Sequence, residues 1–186
     1  MQALVAFGAN LPFEGKSPVQ TIAMALEALV EEGLAVLVVS KLYATPCFPA
    51  GAGPDYVNAA ALIEAVAESD ATSILQRLHR VEEAFGRKRE RRWGMRTLDI
   101  DLLALGDSVL PDAGTQDDWR LMPADQQLRT TPDRLILPHP RLQDRAFVLV
   151  PLADVAPGWV HPRTGLTVAQ MLEALPSEDR EAVKPL

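Results

Sequence analysis

Cysteine is almost missing from this chain of 186 residues: Cys47 stands alone, so no intrachain disulfide can form. No run of 18 apolar residues occurs, which leaves no candidate membrane span. Positive charge is scarce as well, with 18 Lys and Arg against 25 Asp and Glu and a formal net charge of −7. Six of the 18 fall between residues 87 and 96; without that stretch the chain has 12 basic and 24 acidic side chains, net −12. So acidic a chain is poorly suited to nonspecific duplex binding, which needs a broad basic surface. One local cluster suits a small, highly charged anion better. The opening MQALVAFGANLPFEGK carries no positive side chain before Lys16 and runs directly into a strand-like pattern, unlike a signal peptide. The cytoplasm is therefore the expected location.

What is present is enough apolar sequence, 48%, for a globular chain with a core. Residues 2–8 read as a buried strand. Ser17 and Pro18 read as an N-cap and first helical position, followed by Ile22, Leu26, Leu29 and Val30 at helical spacing and by Gly33 as the stop. Residues 34–44 are rich in Val and Leu and predict a second strand; 45–55 is a Pro/Gly-rich loop; 56–66 predicts a third strand. Asp70 opens a second helix with Ile74, Leu75, Leu78 and Val81 on one side, ending near Gly86, and 97–105 is a fourth strand. The order β-α-β-β-α-β predicts an α+β, ferredoxin-like core with a largely antiparallel sheet. Additions at the C-terminal end, with helices at about 144–152 and 167–175, put helices on both faces. The chain reads as one domain, 1–186. Residues 107–133 form an extended polar insertion, long for a loop, with a short helix near 123–129.

Chemistry concentrates in RKRERRWGMRTLDIDLLAL, residues 87–105. In a strand, residues i and i+2 point the same way, so Asp99 and Asp101 share a face with their Cα atoms about 6.5–7 Å apart, while Leu98, Ile100 and Leu102 face the core. Leu103 and Leu105 continue the aspartate face. Two such carboxylates repel unless a cation lies between them, and Mg²⁺ fits: hard oxygen ligands, few protein contacts, the rest of the shell from water and phosphate. The spacing could clamp a pair of ions. On spacing alone, two aspartates decorating a solvent-facing strand is the favoured reading; the scarcity of aspartate in strands and the apolar residues that continue the face point instead to the mouth of a site. The arginines are also open to two readings, a solvated charge run or a cationic lid over a polyphosphate, since guanidinium forks match phosphate oxygens. A ferredoxin-like RNA-binding module using 87–96 would explain the arginines but not the aspartates. GANLPFEGKS at 8–17 imitates a phosphate-binding loop, but six residues instead of four separate Gly8 from Gly15 and Pro12 interrupts them, so Ser17 is better read as a helix cap.

RWGMRTLDIDLLALG resembles the signature of the 6-hydroxymethyl-7,8-dihydropterin pyrophosphokinase family, with Met95 where proline is usual. FGANL (7–11), YATPCF (43–48), PDYVNAA (54–60) and LPHPRLQDRAFVLVPLADVAP (137–157) extend the resemblance over nearly the whole chain except 107–133. The resemblance implies pyrophosphate transfer from ATP to the pterin hydroxymethyl group in folate biosynthesis, with AMP released. It assigns Asp99 and Asp101 to two Mg²⁺ ions. It gives Arg87, Arg89, Arg92 and Arg96 to the ATP phosphates, and Arg134, His139 and Arg145 to the nucleotide, with Ile100 and Leu102 on the same side. Thr45, Pro46, Phe48, Tyr56, Asn58 and Phe147 would form the pterin pocket, with Glu82 near the site and Trp93 closing over it. The implied partners are two small molecules, ATP and the pterin, with no nucleic acid and no membrane, and the chain is expected to be monomeric.

Overall fold

The computed structural model describes residues 1–47, 53–65, 69–86 and 97–186. The core elements are β1 (Gln2–Ala9), α1 (Pro18–Glu31), β2 (Leu34–Val39), β3 (Tyr43–Thr45), β4 (Tyr56–Ala65), α2 (Ala71–Ala84) and β5 (Asp99–Leu105). After them come α3 (Ala113–Leu121), α4 (Ala124–Arg129), a 3₁₀ turn at Leu142–Asp144, α5 (Ala146–Val155), α6 (Val168–Ala174), α7 (Ser177–Glu181) and the short β6 (Lys184–Pro185). The sheet runs β5-β1-β4-β3-β6, with β2 also paired to β4, and every pairing is antiparallel. This is the α+β, ferredoxin-like arrangement that the element order predicts.

Alternation along β1 builds two cores. Ala3, Val5, Phe7 and Ala9 pack under α1 and α2 against Ile22, Ala25, Leu29, Ile74, Leu78 and Val81. Leu4 and Ala6 face the other way, toward Leu142, Val148, Leu149, Leu152, Val168 and Met171 of the C-terminal additions. Helices therefore cover both faces. The caps follow local chemistry. Ser17 and Gln20 form a reciprocal capping box at α1, and the Asp70 carboxylate accepts the Ser73 backbone N–H at 2.7 Å to open α2. Gly33 and Gly86 follow the two helices with φ of +76°, which only glycine takes without cost.

Four expectations are corrected. Residues 34–44 are two strands on the same side of β4, because the chain turns at Ser40: its N–H donates to Ala60 O and its hydroxyl accepts the Ala60 N–H, both at 2.9 Å, so the side chain replaces a ladder bond. Val30 points to solvent at 57% exposure, beyond the edge of the apolar stripe. Leu105 lies on the face opposite the aspartates, because β1 and β5 slip register between Leu4 and Val5, leaving Leu103 as the extra residue of a bulge. The polar insertion contains α3 as well as the expected short helix, since Asp112 caps it by accepting the Thr115 N–H at 2.9 Å.

Candidate active site

Asp99 and Asp101 lie opposite Gly8 and Ala6 of β1, and these in turn lie opposite Asn58 and Ala60 of β4. Asn58 faces Tyr43 on β3. One row across the sheet is thus Asp99, Gly8, Asn58, Tyr43. With strands about 4.8 Å apart, the backbones of Asp99 and Asn58 are roughly 10 Å from each other. Between them the floor carries only a hydrogen and a methyl group. A Cβ at Gly8 would sit 3.6 Å from Asn58 Oδ1, an ordinary contact, so the fold itself tolerates a side chain there. The glycine leaves room for something that is not protein.

Above the acid pair stand Arg145 and His139. Arg145 is the residue before α5, partly buried. Burial pulls its pKa down, while the carboxylate of Asp101, and less strongly Asp99, opposes this. The guanidinium also lies 5.6 Å over the Phe147 ring. His139 is held by its backbone: its N–H donates to Leu103 O on β5 at 2.8 Å. Its Nδ1 accepts the Arg141 backbone N–H at 3.1 Å, so the neutral ring carries its proton on Nε2. Burial, then the positive charges of Arg145 and Arg141, push its pKa down to about 3. At neutral pH His139 is therefore an uncharged donor beside Asp99 and two arginines.

At the other end of the row, Asn58 Nδ2 donates to Thr45 Oγ1 at 2.7 Å, both side chains buried. That bond leaves the Asn58 carbonyl oxygen facing the Gly8 gap. Tyr56 is partly buried on the same face of β4, Pro46 is exposed, and Phe147 is 41% exposed. An exposed aromatic ring under a guanidinium can serve as a stacking surface for a flat heterocycle, and a buried amide as a hydrogen-bonding edge. The Tyr43 hydroxyl donates to Asp154 at 2.8 Å, and the same carboxylate accepts the Lys41 N–H at 3.1 Å, which ties α5 to β3 and holds this end in place. Burial and Asp154 push Tyr43 up to about 12, so it stays a donor.

Some candidates lie elsewhere. Ile100 and Leu102, expected on the nucleotide side, are buried at 2% and 3% against the α1–α2 layer, so their side chains point away from the aspartates. Glu82 is also behind the strand, fully buried, with its carboxylate accepting the Ile100 N–H at 2.7 Å. It braces β5 between the two acids. Arg134 is exposed and forks onto Asp133 at 3.1 Å. Phe48, Trp93, Arg87, Arg89, Arg92 and Arg96 lie outside the described residues. The imitation phosphate loop is a tight hairpin: Phe13 and Lys16 exchange backbone hydrogen bonds of 3.1 and 2.8 Å around Glu14 and Gly15, both at positive φ. Sequence reasoning missed Arg141, Gln116 and Gln143, which hold the turn carrying His139; polar side chains at those positions gave no periodic signal.

Among the described residues, no group of three or more His, Cys, Asp or Glu side chains is arranged to hold a metal ion. Two carboxylates on one face, beside a cation that a polyanion would also meet, do not make a structural zinc site, which needs four ligands. They do suit Mg²⁺, which keeps most of its shell for water and phosphate.

A ferredoxin-like sheet with an acid pair at one end of a row and a buried amide at the other defines an α+β protein with one site of two chemically distinct ends. The model of the 7,8-dihydro-6-hydroxymethylpterin-pyrophosphokinase family matches residues 4–157. A 2-amino-4-hydroxy-6-hydroxymethyldihydropteridine pyrophosphokinase from Haemophilus influenzae is 34% identical over 87% of this chain and 86% of its own length. One of the same name from Pseudomonas aeruginosa is 35% identical over 95% of this chain and 93% of its own. A third, from Synechocystis, is 39% identical over 72% of this chain, which spans only 55% of that protein. The crystal structure of wild-type Plasmodium falciparum HPPK-DHPS superposes with a TM-score of 0.63 at 15% identity, over 92% of this chain and 44% of that one, a likeness of fold. The chain belongs to the 7,8-dihydro-6-hydroxymethylpterin-pyrophosphokinase family. Neither the family match nor these relatives support an RNA-binding role. No helix among the described residues is long and apolar enough to cross a membrane.

Proposed function

We propose that this chain is an ATP-dependent diphosphotransferase of folate biosynthesis that acts on 6-hydroxymethyl-7,8-dihydropterin. The hydroxymethyl oxygen bonds to the β-phosphorus of ATP as the bond from that phosphorus to the oxygen bridging the α-phosphate breaks. AMP leaves, and the hydroxyl gives up its proton. The observation that carries this reading is the row from Asp99 and Asp101 to Asn58, open between its ends, in a chain that matches the family over residues 4–157.

Each end has its own task. Asn58, with Thr45 fixing its amide, meets the hydrogen-bonding edge of the pterin, while Tyr56 and Phe147 lie against its faces. Pro46 borders the same pocket, and the family resemblance assigns Phe48 to it. Arg145 and the neutral His139 face the nucleotide, one as a fixed cation and the other as an Nε2–H donor. Arg134 approaches the nucleotide by leaving Asp133. Bound to Asp99 and Asp101, Mg²⁺, in this reading two ions, supplies charge neutralisation to the phosphates. Arg87, Arg89, Arg92 and Arg96 add positive charge to the polyphosphate, with Trp93 closing over the site. Transfer of this kind depends on alignment and electrostatic stabilisation more than on a covalent intermediate. The chain works as a single catalytic unit, 1–186, monomeric and cytoplasmic, with ATP and the pterin as substrates.

The test is to incubate the purified chain with ATP, Mg²⁺ and 6-hydroxymethyl-7,8-dihydropterin. AMP and pterin diphosphate should form in equal amounts, and only when all three are present. Release of ADP, or no pterin-dependent AMP, overturns the assignment.

A further inference from the structure

The polar insertion reaches the candidate site through one side chain. Gln116, on α3, is fully buried in an otherwise polar helix, and its Nε2 donates to the carbonyl of Pro138 at 3.1 Å. Pro138 immediately precedes His139. Prolines flank this histidine on both sides and have no N–H, so the segment cannot extend a regular ladder with its neighbours. Side-chain amides take that role. Gln116 satisfies the Pro138 carbonyl, and Gln143 Nε2 satisfies the Pro140 carbonyl at 2.9 Å. The remaining backbone groups are paired: Leu137 exchanges hydrogen bonds of 3.1 and 2.8 Å with Leu110, at the start of the insertion, and His139 N–H binds Leu103 O.

The helix that carries Gln116 is itself pinned. The Asp117 carboxylate accepts from Arg120 on the same helix at 2.9 Å and pairs with Arg163 in the segment before α6. Both arginines hold its pKa well below the usual carboxylate range, so the clasp persists at any ordinary pH. A buried amide on a clasped helix is a rigid support, whereas a buried carbonyl without a donor would shift toward water and take His139 with it.

We propose that α3 of the insertion is a positioning element of the nucleotide side, and that Gln116 is its working residue, setting the place of His139 through the Pro138 carbonyl. This rests on the reading of His139 as a nucleotide contact, and it gives the insertion 107–133 a task in the reaction.

The experiment measures affinity for a nonhydrolysable ATP analogue with Mg²⁺ by calorimetry, together with the KM values for ATP and the pterin. Gln116→Ala should weaken analogue binding and raise the ATP KM by about fivefold or more, with the pterin KM within about twofold. Gln116→Met, close in size but without any hydrogen-bond donor, should behave the same way and serves if the alanine variant folds poorly. In a His139→Ala background, Gln116→Ala should add less than about a twofold change, because the two residues act in series. Ile74→Val, a core truncation on the buried face of α2, should lower Tm without this split between substrates. Independent effects of Gln116 and His139, or equal changes in both KM values, would overturn the proposal. Absence of AMP production by the wild-type chain would instead remove the assigned reaction, and the calorimetry would still report on Gln116.

Discussion

The Glu82 carboxylate accepts the backbone N–H of Ile100 at 2.7 Å, from the face of β5 opposite to Asp99 and Asp101. A buried carboxyl group on α2 thereby fixes the strand at the one residue between the two acids. Glu82→Ala leaves that N–H buried without its acceptor. The expected cost is about 1–3 kcal/mol of stability, with a parallel loss of turnover. Urea unfolding monitored by circular dichroism checks the first; an unchanged midpoint would show that the bond contributes nothing.

Asp101→Ala should reduce turnover by about 10²-fold or more while the fold is retained. The residue is half-buried on β5, opposite Ala6, and its backbone pairing does not depend on the side chain. AMP release and far-ultraviolet circular dichroism, measured on the same sample, check both halves. Near-normal AMP release would refute its role with the metal.

Asn58→Ala should act on the opposite substrate. It removes the 2.7 Å bond to Thr45 and the amide that faces the Gly8 gap. The pterin KM is expected to rise about tenfold, the cost of roughly one well-made hydrogen bond, with the ATP KM little changed. Equal increases in both would place Asn58 outside the pterin pocket.

His161 should make stability fall with acid. It is fully buried, and burial followed by Arg120 holds its pKa down to about 4, with Arg163 adding to the effect and Asp117 opposing it. The unfolded chain binds a proton near pH 6.5, where the folded chain does not. The stability due to the neutral ring is therefore complete above about pH 6.5 and is lost as pH falls toward about 4. Urea midpoints between pH 7.5 and 5 should decline for the wild-type chain and decline less for His161→Asn, whose amide oxygen can still accept the Arg163 N–H.

Much of this protein is legible along the chain. The apolar run in 2–8, the strand pattern in 97–105, the helical spacing of Ile22, Leu29, Ile74 and Leu78, and caps at Ser17 and Asp70 are local patterns. Antiparallel pairing and two helical layers follow because each apolar stripe needs a cover. The shared face of Asp99 and Asp101 is a property of the extended backbone and needs no fold at all. What lay beyond reach depended on partners distant in sequence. Ser40 breaks a strand only because Ala60 lies opposite, and the bulge that turns Leu105 inward exists only in register with Leu4 and Val5. Glu82 became a brace behind Ile100 across 18 residues of separation, and Gln116 became a support for Pro138 across 22. A single side chain carries no mark of the carbonyl it will meet. Tertiary packing decides that, because burial is what makes each such hydrogen bond necessary.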